Sequence, residues 1–232
     1  MGIGLSLYTA FEVARGSVAT TFDAITGRLR REVVDERIMR FARNVVRAAD
    51  IRIDVLGAEN VPSKGAWVFM SNHQSHLDIP ILYWSLPIRT LRMVAKAELF
   101  KVPIWGRAMR EGGMIEVDRS NRQQAIESLR RAGEAIADGV SIWIAPEGSR
   151  TRTGELGPLK KGGFHLALET GTPIIPVTIS GSYDILPPET LAMRRGVEVV
   201  VRIGEPIEVE GKSVGDLLAE VETFFRENIT AP

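Results

Sequence analysis

The chain has no cysteine, so disulfides, zinc–thiolate sites and a thiol nucleophile are excluded, and a reducing compartment fits. It has three histidines, and no HExxH pattern or His/Cys cluster surrounds them. Net charge is also missing: 29 Lys and Arg balance 29 Asp and Glu, which carries no signature of a nucleic-acid partner. No apolar run approaches the roughly 18 residues that cross a bilayer. Nor does the N-terminus show the basic and then apolar stretches of a secretory leader. A cytosolic protein, soluble or bound to a membrane surface, is expected.

What is present is a 232-residue chain, long enough for one sizeable core with a small appendage. From Ile3 to Ile25, Leu7, Phe11, Ala14, Val18, Phe22 and Ile25 recur at steps of three and four, the mark of an amphipathic helix. A second helix, about 29 to 48, carries Val33, Val34, Ile38, Phe41 and Val45 on one side and arginines 37, 40, 43 and 47 beside them. Such a hairpin suits a phospholipid surface, and it equally suits packing on the domain with its arginines paired to Glu32, Asp35 and Glu36.

From Ile51 onward, short apolar runs alternate with helical stripes. The runs are 51–55, 66–70, 91–95, 113–117, 140–144, 174–179 and 197–203. Pro176 inside one of them argues for an edge strand or an irregular segment. The helix after Ser120 is expected to bury Ala125, Ile126, Leu129, Ala132 and Ile136, and His165 is expected to pack on its own helix. The fold class is therefore α/β, a mixed, largely parallel sheet flanked by helices and preceded by an N-terminal amphipathic two-helix hairpin. Residues 1–48 form the hairpin, a membrane-surface contact, and 49–232 the α/β domain.

Ser71-Asn72-His73-Gln74-Ser75-His76-Leu77-Asp78 lies between a strand and a helix that must begin near Leu77, because Pro80 is tolerated only in a first turn. On one continuous helix His73 and Asp78 would stand about 140° apart. With the histidine on the turn, the two can meet. The carboxylate then fixes the tautomer and leaves the other ring nitrogen free to take a proton. A plain capped helix terminus, and a metal held by His73, His76 and Asp78, are the competing readings. Lys96, Arg119 and the Glu147-Gly148-Ser149-Arg150 loop also follow strands, where open sheets place ligands.

Asn72-His73 with Asp78 resembles the NHxxxxD motif of the glycerolipid acyltransferases. Lys96-Ala97-Glu98-Leu99 with Gly113 to Arg119, then Pro146-Glu147-Gly148-Ser149-Arg150, then Ile174-Ile175-Pro176-Val177 are similar to its later blocks, in order. Ala145, where an aromatic is usual, and Ser149 in place of Thr are the departures. The 1-acylglycerol-3-phosphate acyltransferases are the most similar branch. The resemblance implies acyl transfer from a thioester, acyl-CoA or acyl carrier protein, to the hydroxyl of lysophosphatidic acid. It implies no cofactor and no metal, with His73 as base and Asp78 orienting it. Lys96, Arg119 and Arg150 would hold the acceptor phosphate, and Glu147, Gly148 and Ser149 would shape its pocket. A backbone N–H near the helix start would stabilise the oxyanion. The enzyme would sit on the cytoplasmic face of a membrane, peripheral or monotopic, contacting it through residues 1–48. Another lysolipid acceptor, a metal-dependent phosphoesterase, and a membrane-binding module without chemistry are the alternatives. Replacing His73 or Asp78 by Ala is expected to cost turnover and little folding stability.

Overall fold

The apolar runs become strands and the stripes become helices in the computed structural model, which describes residues 2–118, 122–187 and 190–229. Two helices come first, α1 (Gly2–Ile25) and α2 (Arg31–Ala48), followed by β1 (Arg52–Leu56), β2 (Val68–Ser71), α3 (Asp78–Ser85) and β3 (Leu91–Lys96). Two short helices, α4 (Ala97–Phe100) and α5 (Trp105–Glu111), precede β4 (Ile115–Val117), α6 (Arg122–Ala137) and β5 (Ser141–Ile144). The chain continues through α7 (Gly162–Thr170), β6 (Ile174–Ser180), α8 (Ser182–Ile185), β7 (Glu198–Ile203) and α9 (Val214–Asn228). Ser213 caps α9 reciprocally with Asp216, which satisfies two donors at the helix start.

The strands form one sheet in the order β1-β7-β6-β2-β5-β3-β4, parallel at every step except β6–β7. Side chains alternate faces along each strand. Phe69 of β2 and Trp143 of β5 join the apolar core shared with α2 and α3. Their neighbours Val68, Met70, Ile142 and Ile144 join the core under α7 and α9. Both faces are thus covered, which is why these strands read as continuous apolar runs. The parallel strands β2, β3, β4, β5 and β6 end on one edge, and the connections leaving that edge build the site.

Pro176 departs from expectation. It sits within β6, which lies between β2 and β7 rather than at an edge. Its carbonyl accepts from the Gly204 N–H at 2.8 Å, where the β7 pairing ends. A Cβ on Gly204 would stand 2.8 Å from the proline ring, so the absent side chain makes room for the ring that replaces an N–H. The α6 stripe also shifts: Ser128 and Ala132 are buried while Ile126 is exposed. The Ser120 cap signal lies outside the described residues. His165 is exposed rather than packed.

The helical pair shares the domain core. Leu5 of α1 and Ala42, Val45 and Val46 of α2 belong to the same apolar cluster as Phe69, Ile81 and Ile175. α1 is amphipathic, but its apolar stripe faces outward: Leu7, Phe11, Val18, Phe22 and Ile25 are exposed, while Glu12, Ser17 and Thr20 are buried. Polar contacts hold that inner face. Glu12 accepts from Asn44 at 2.9 Å, Asp23 pairs with Arg37, and the Thr21 hydroxyl donates to the Ile104 carbonyl. The expected pairing of α2 arginines with Asp35 is replaced by a buried link to β3, since Asp35 accepts from Arg92 at 2.6 Å and from Thr90 at 2.7 Å.

Candidate active site

His73 lies on the connection between β2 and α3, and that connection is fastened before any catalytic group is considered. The Asn72 amide donates to the Ile179 carbonyl and accepts from the Ile179 N–H, each at 2.8 Å, so the turn is tied to β6. The Ser71 hydroxyl donates to the Asn72 carbonyl and accepts from the Trp143 indole, both at 2.9 Å. Trp143 then meets the His73 ring edge-on, with centroids 6.1 Å apart.

His73 Nδ1 stands 2.7 Å from Asp78 Oδ2. A carboxylate can only accept, so Nδ1 carries the proton and Nε2 is left as the base. Asp78 is wholly buried, and every one of its partners is a donor. The Gln74 and Ser75 N–H groups reach Oδ2 at 2.8 and 2.9 Å, and the Ser182 hydroxyl reaches Oδ1. Four donors on one buried carboxylate compensate its desolvation and fix its rotamer. They also leave it no face for an ion. A metal held by His73, His76 and Asp78 therefore does not fit, and no group of three potential ligands occurs among the described residues. The turn N–H groups of Gln74 and Ser75 are committed to Asp78, and that of Leu77 to the Ser75 hydroxyl, so none of these three serves an oxyanion.

His73 opens into a cavity of about 1040 Å³. Its walls are mostly apolar, including Val13 and Ala14 of α1, Phe41 of α2, Ile79 and Pro80 of α3, and Leu99, Trp105 and Trp143. Lys96, Gly148, Ser149 and Arg150 line it together with His73 and His76. The sequence-predicted groups on three connections thus converge. Arg119 lies outside the described residues. His76 lines the cavity, exposed as a residue but with its imidazole desolvated by the surrounding walls. Burial of its imidazole first, then the charges of Arg150 and His73, push it down to about 4 against the pull of Asp78, so the ring is neutral at neutral pH.

Glu147 is buried and does not line the cavity. Its two oxygens accept the N–H groups of His73 and Gly157, each at 2.8 Å. Burial raises its pKa, and these two hydrogen bonds oppose the shift. Ser182 was missed in the sequence. Its position just past the β6 run was the available signal, but nothing local to it points back to Asp78.

A family model described as Acyltransferase matches residues 52–180, which contain every group named above except Ser182 and the walls from α1 and α2. The chain belongs to the acyltransferase family. A Brassica napus chloroplastic 1-acyl-sn-glycerol-3-phosphate acyltransferase is 35% identical over 158 residues, 67% of this chain and 45% of that one. A Saccharomyces cerevisiae protein of the same printed name is 38% identical over 161 residues, 68% of this chain and 52% of the other. This acyltransferase spans about half the length of those curated relatives. The crystal structure of the 1-acyl-sn-glycerophosphate acyltransferase PlsC from Thermotoga maritima superposes with a TM-score of 0.80 at 27% identity, covering 98% of this chain and 95% of that one. The α/β architecture with its leading helices is therefore that of a solved acyltransferase.

Proposed function

We propose that this acyltransferase moves a fatty acyl group from a thioester, acyl-CoA or acyl carrier protein, to the free hydroxyl of lysophosphatidic acid, giving phosphatidic acid. The observation that carries the reading is His73, held by Asp78, opening into an apolar cavity that Lys96 and Arg150 also line. His73 Nε2 takes the hydroxyl proton as the oxygen attacks the thioester carbonyl. The imidazolium, stabilised by Asp78, returns that proton to the sulfur as the C–S bond breaks. One ester forms, one thiol leaves, and the enzyme carries no acyl group between. Cysteine is absent, and the GxSxG match at Gly211 to Gly215 is no nucleophile elbow, since Ser213 caps α9 through Asp216 and does not line the cavity.

Lys96 and Arg150 supply fixed positive charge for the acceptor phosphate, the arginine through paired donors. The apolar walls suit an acyl chain. No helix among the described residues is long and apolar enough to cross a membrane. The outward stripe of α1 with the exposed Val102, Ile104 and Leu191 suits a bilayer surface at the cytoplasmic face, beside the exposed arginines of α2. Release of free thiol, followed with acyl-CoA and with acyl carrier protein, with and without lysophosphatidic acid, tests the reading. Thiol release that requires lysophosphatidic acid and yields phosphatidic acid is expected. Release indifferent to the acceptor, or preference for a lysolipid lacking a free phosphate, contradicts it.

A further inference from the structure

The loop that carries Arg150 and the turn that carries His73 are sewn together at the backbone. Glu147 accepts the His73 N–H through Oε1 at 2.8 Å, and the Thr151 N–H donates to the His73 carbonyl at 2.8 Å. Both main-chain groups of the histidine are thus held by residues flanking Arg150. The neck of the loop is closed by Glu147 Oε2, which accepts the Gly157 N–H at 2.8 Å, and by the Lys160 N–H, which donates to the Pro146 carbonyl at 2.8 Å. A third stitch runs from the Gln74 amide to the Gly154 carbonyl at 3.2 Å.

We infer that Glu147 is a positioning residue for His73, its carboxylate fastening the backbone of the base to the loop that carries Arg150. It acts through His73 and not on the acceptor. A pocket residue would present an oxygen to the cavity, whereas both Glu147 oxygens are occupied by backbone donors and the residue does not line the cavity. Charge-assisted bonds in a site shielded from water hold geometry better than neutral ones, which accounts for a buried carboxylate where an amide would bring a donor against a donor. The consequence is that the phosphate grip and the base form one hydrogen-bonded unit, so errors in the loop are felt as lost turnover.

This rests on the proposal that His73 is the base, and the experiment separates the two. Glu147→Gln sets an amide N–H against one of the two backbone donors. Gly157→Ala is milder: it places a Cβ 3.2 Å from Glu147 Oε2 without touching the cavity, and Gly157 has no positive φ to strain. Steady-state rates with lysophosphatidic acid in mixed micelles are measured beside the proton NMR titration of the three histidines, assigned by single His→Gln variants. Glu147→Gln is expected to lower kcat about tenfold or more with the acceptor KM within about twofold. It should also move the His73 titration while His165 stays put. In a His73→Ala background, Glu147→Gln should add no further loss. Gly157→Ala should show the same pattern at smaller amplitude, and it carries the test if Glu147→Gln does not fold. A raised acceptor KM at unchanged kcat overturns the inference. So does lost kcat with an unmoved His73 titration. If His73→Ala itself keeps full turnover, the base assignment fails instead.

Discussion

Asp78 Oδ2 lies 2.7 Å from His73 Nδ1 although the two are five positions apart in sequence, and the distance is met only because the chain passes from turn to helix between the two. The carboxylate is also the hub of the turn, gathering Gln74, Ser75 and Ser182. That dual role revises the expectation that Asp78→Ala would leave stability nearly untouched.

Asp78→Ala strands three buried donors, the Gln74 and Ser75 N–H groups and the Ser182 hydroxyl. Each unpaired buried donor costs about 1–3 kcal/mol, so the variant should lose roughly 3 kcal/mol or more, read from the urea midpoint. Asp78→Asn keeps the volume and an acceptor oxygen but spoils the tautomer. It should retain most of the stability and lose turnover on the order of 10³-fold. Equal stability of Asp78→Ala and the parent would contradict the hub.

Arg150→Ala should raise the acceptor KM about tenfold or more, with a smaller change in kcat, because the guanidinium is assigned to a phosphate present throughout the reaction. The measurement varies lysophosphatidic acid at saturating donor. An unchanged KM would remove Arg150 from the acceptor site.

The acid side of the stability curve carries a mark of His76. Its folded pKa, about 4, is below the ordinary 6.5, so the neutral ring is favoured in the fold. The stability linked to it is fully present above 6.5 and is lost as pH falls from there toward 4. His76→Gln should flatten that part of the curve, measured as urea midpoints between pH 7 and pH 4. An unchanged slope would show that the ring is not held neutral by its surroundings and Arg150.

Much of this was legible from local pattern. The turn at His73, the strand before it and the helix start at Asp78 follow from a few adjacent residues and one proline. Periodicity also found α1, yet it reports only which residues share a face and not which way that face turns. Its polar side packs because Asn44 and Arg37 of α2 meet it. Pro176 was misplaced because the group that accommodates its ring, Gly204, lies 28 residues on in sequence. Glu147 and Ser182 act on the catalytic turn across 74 and 104 residues, and no spacing rule spans such distances.

The outward stripe of α1 makes its own prediction. Leu7, Phe11 and Phe22 are 67%, 59% and 58% exposed, so replacing them together by Ser should not disturb the fold. Each apolar side chain buried in a bilayer surface contributes about 1.5–3 kcal/mol, so the triple variant should fail to sediment with anionic phospholipid vesicles. Undiminished sedimentation would place the membrane contact elsewhere.

The central claim is that His73 takes the proton of the attacking hydroxyl. The most direct measurement is thiol release from the acyl donor by His73→Gln at saturating lysophosphatidic acid, with the urea midpoint recorded on the same protein. Turnover lower by on the order of 10²- to 10⁴-fold at an unchanged midpoint is the predicted result. Turnover within about twofold of the parent would contradict it.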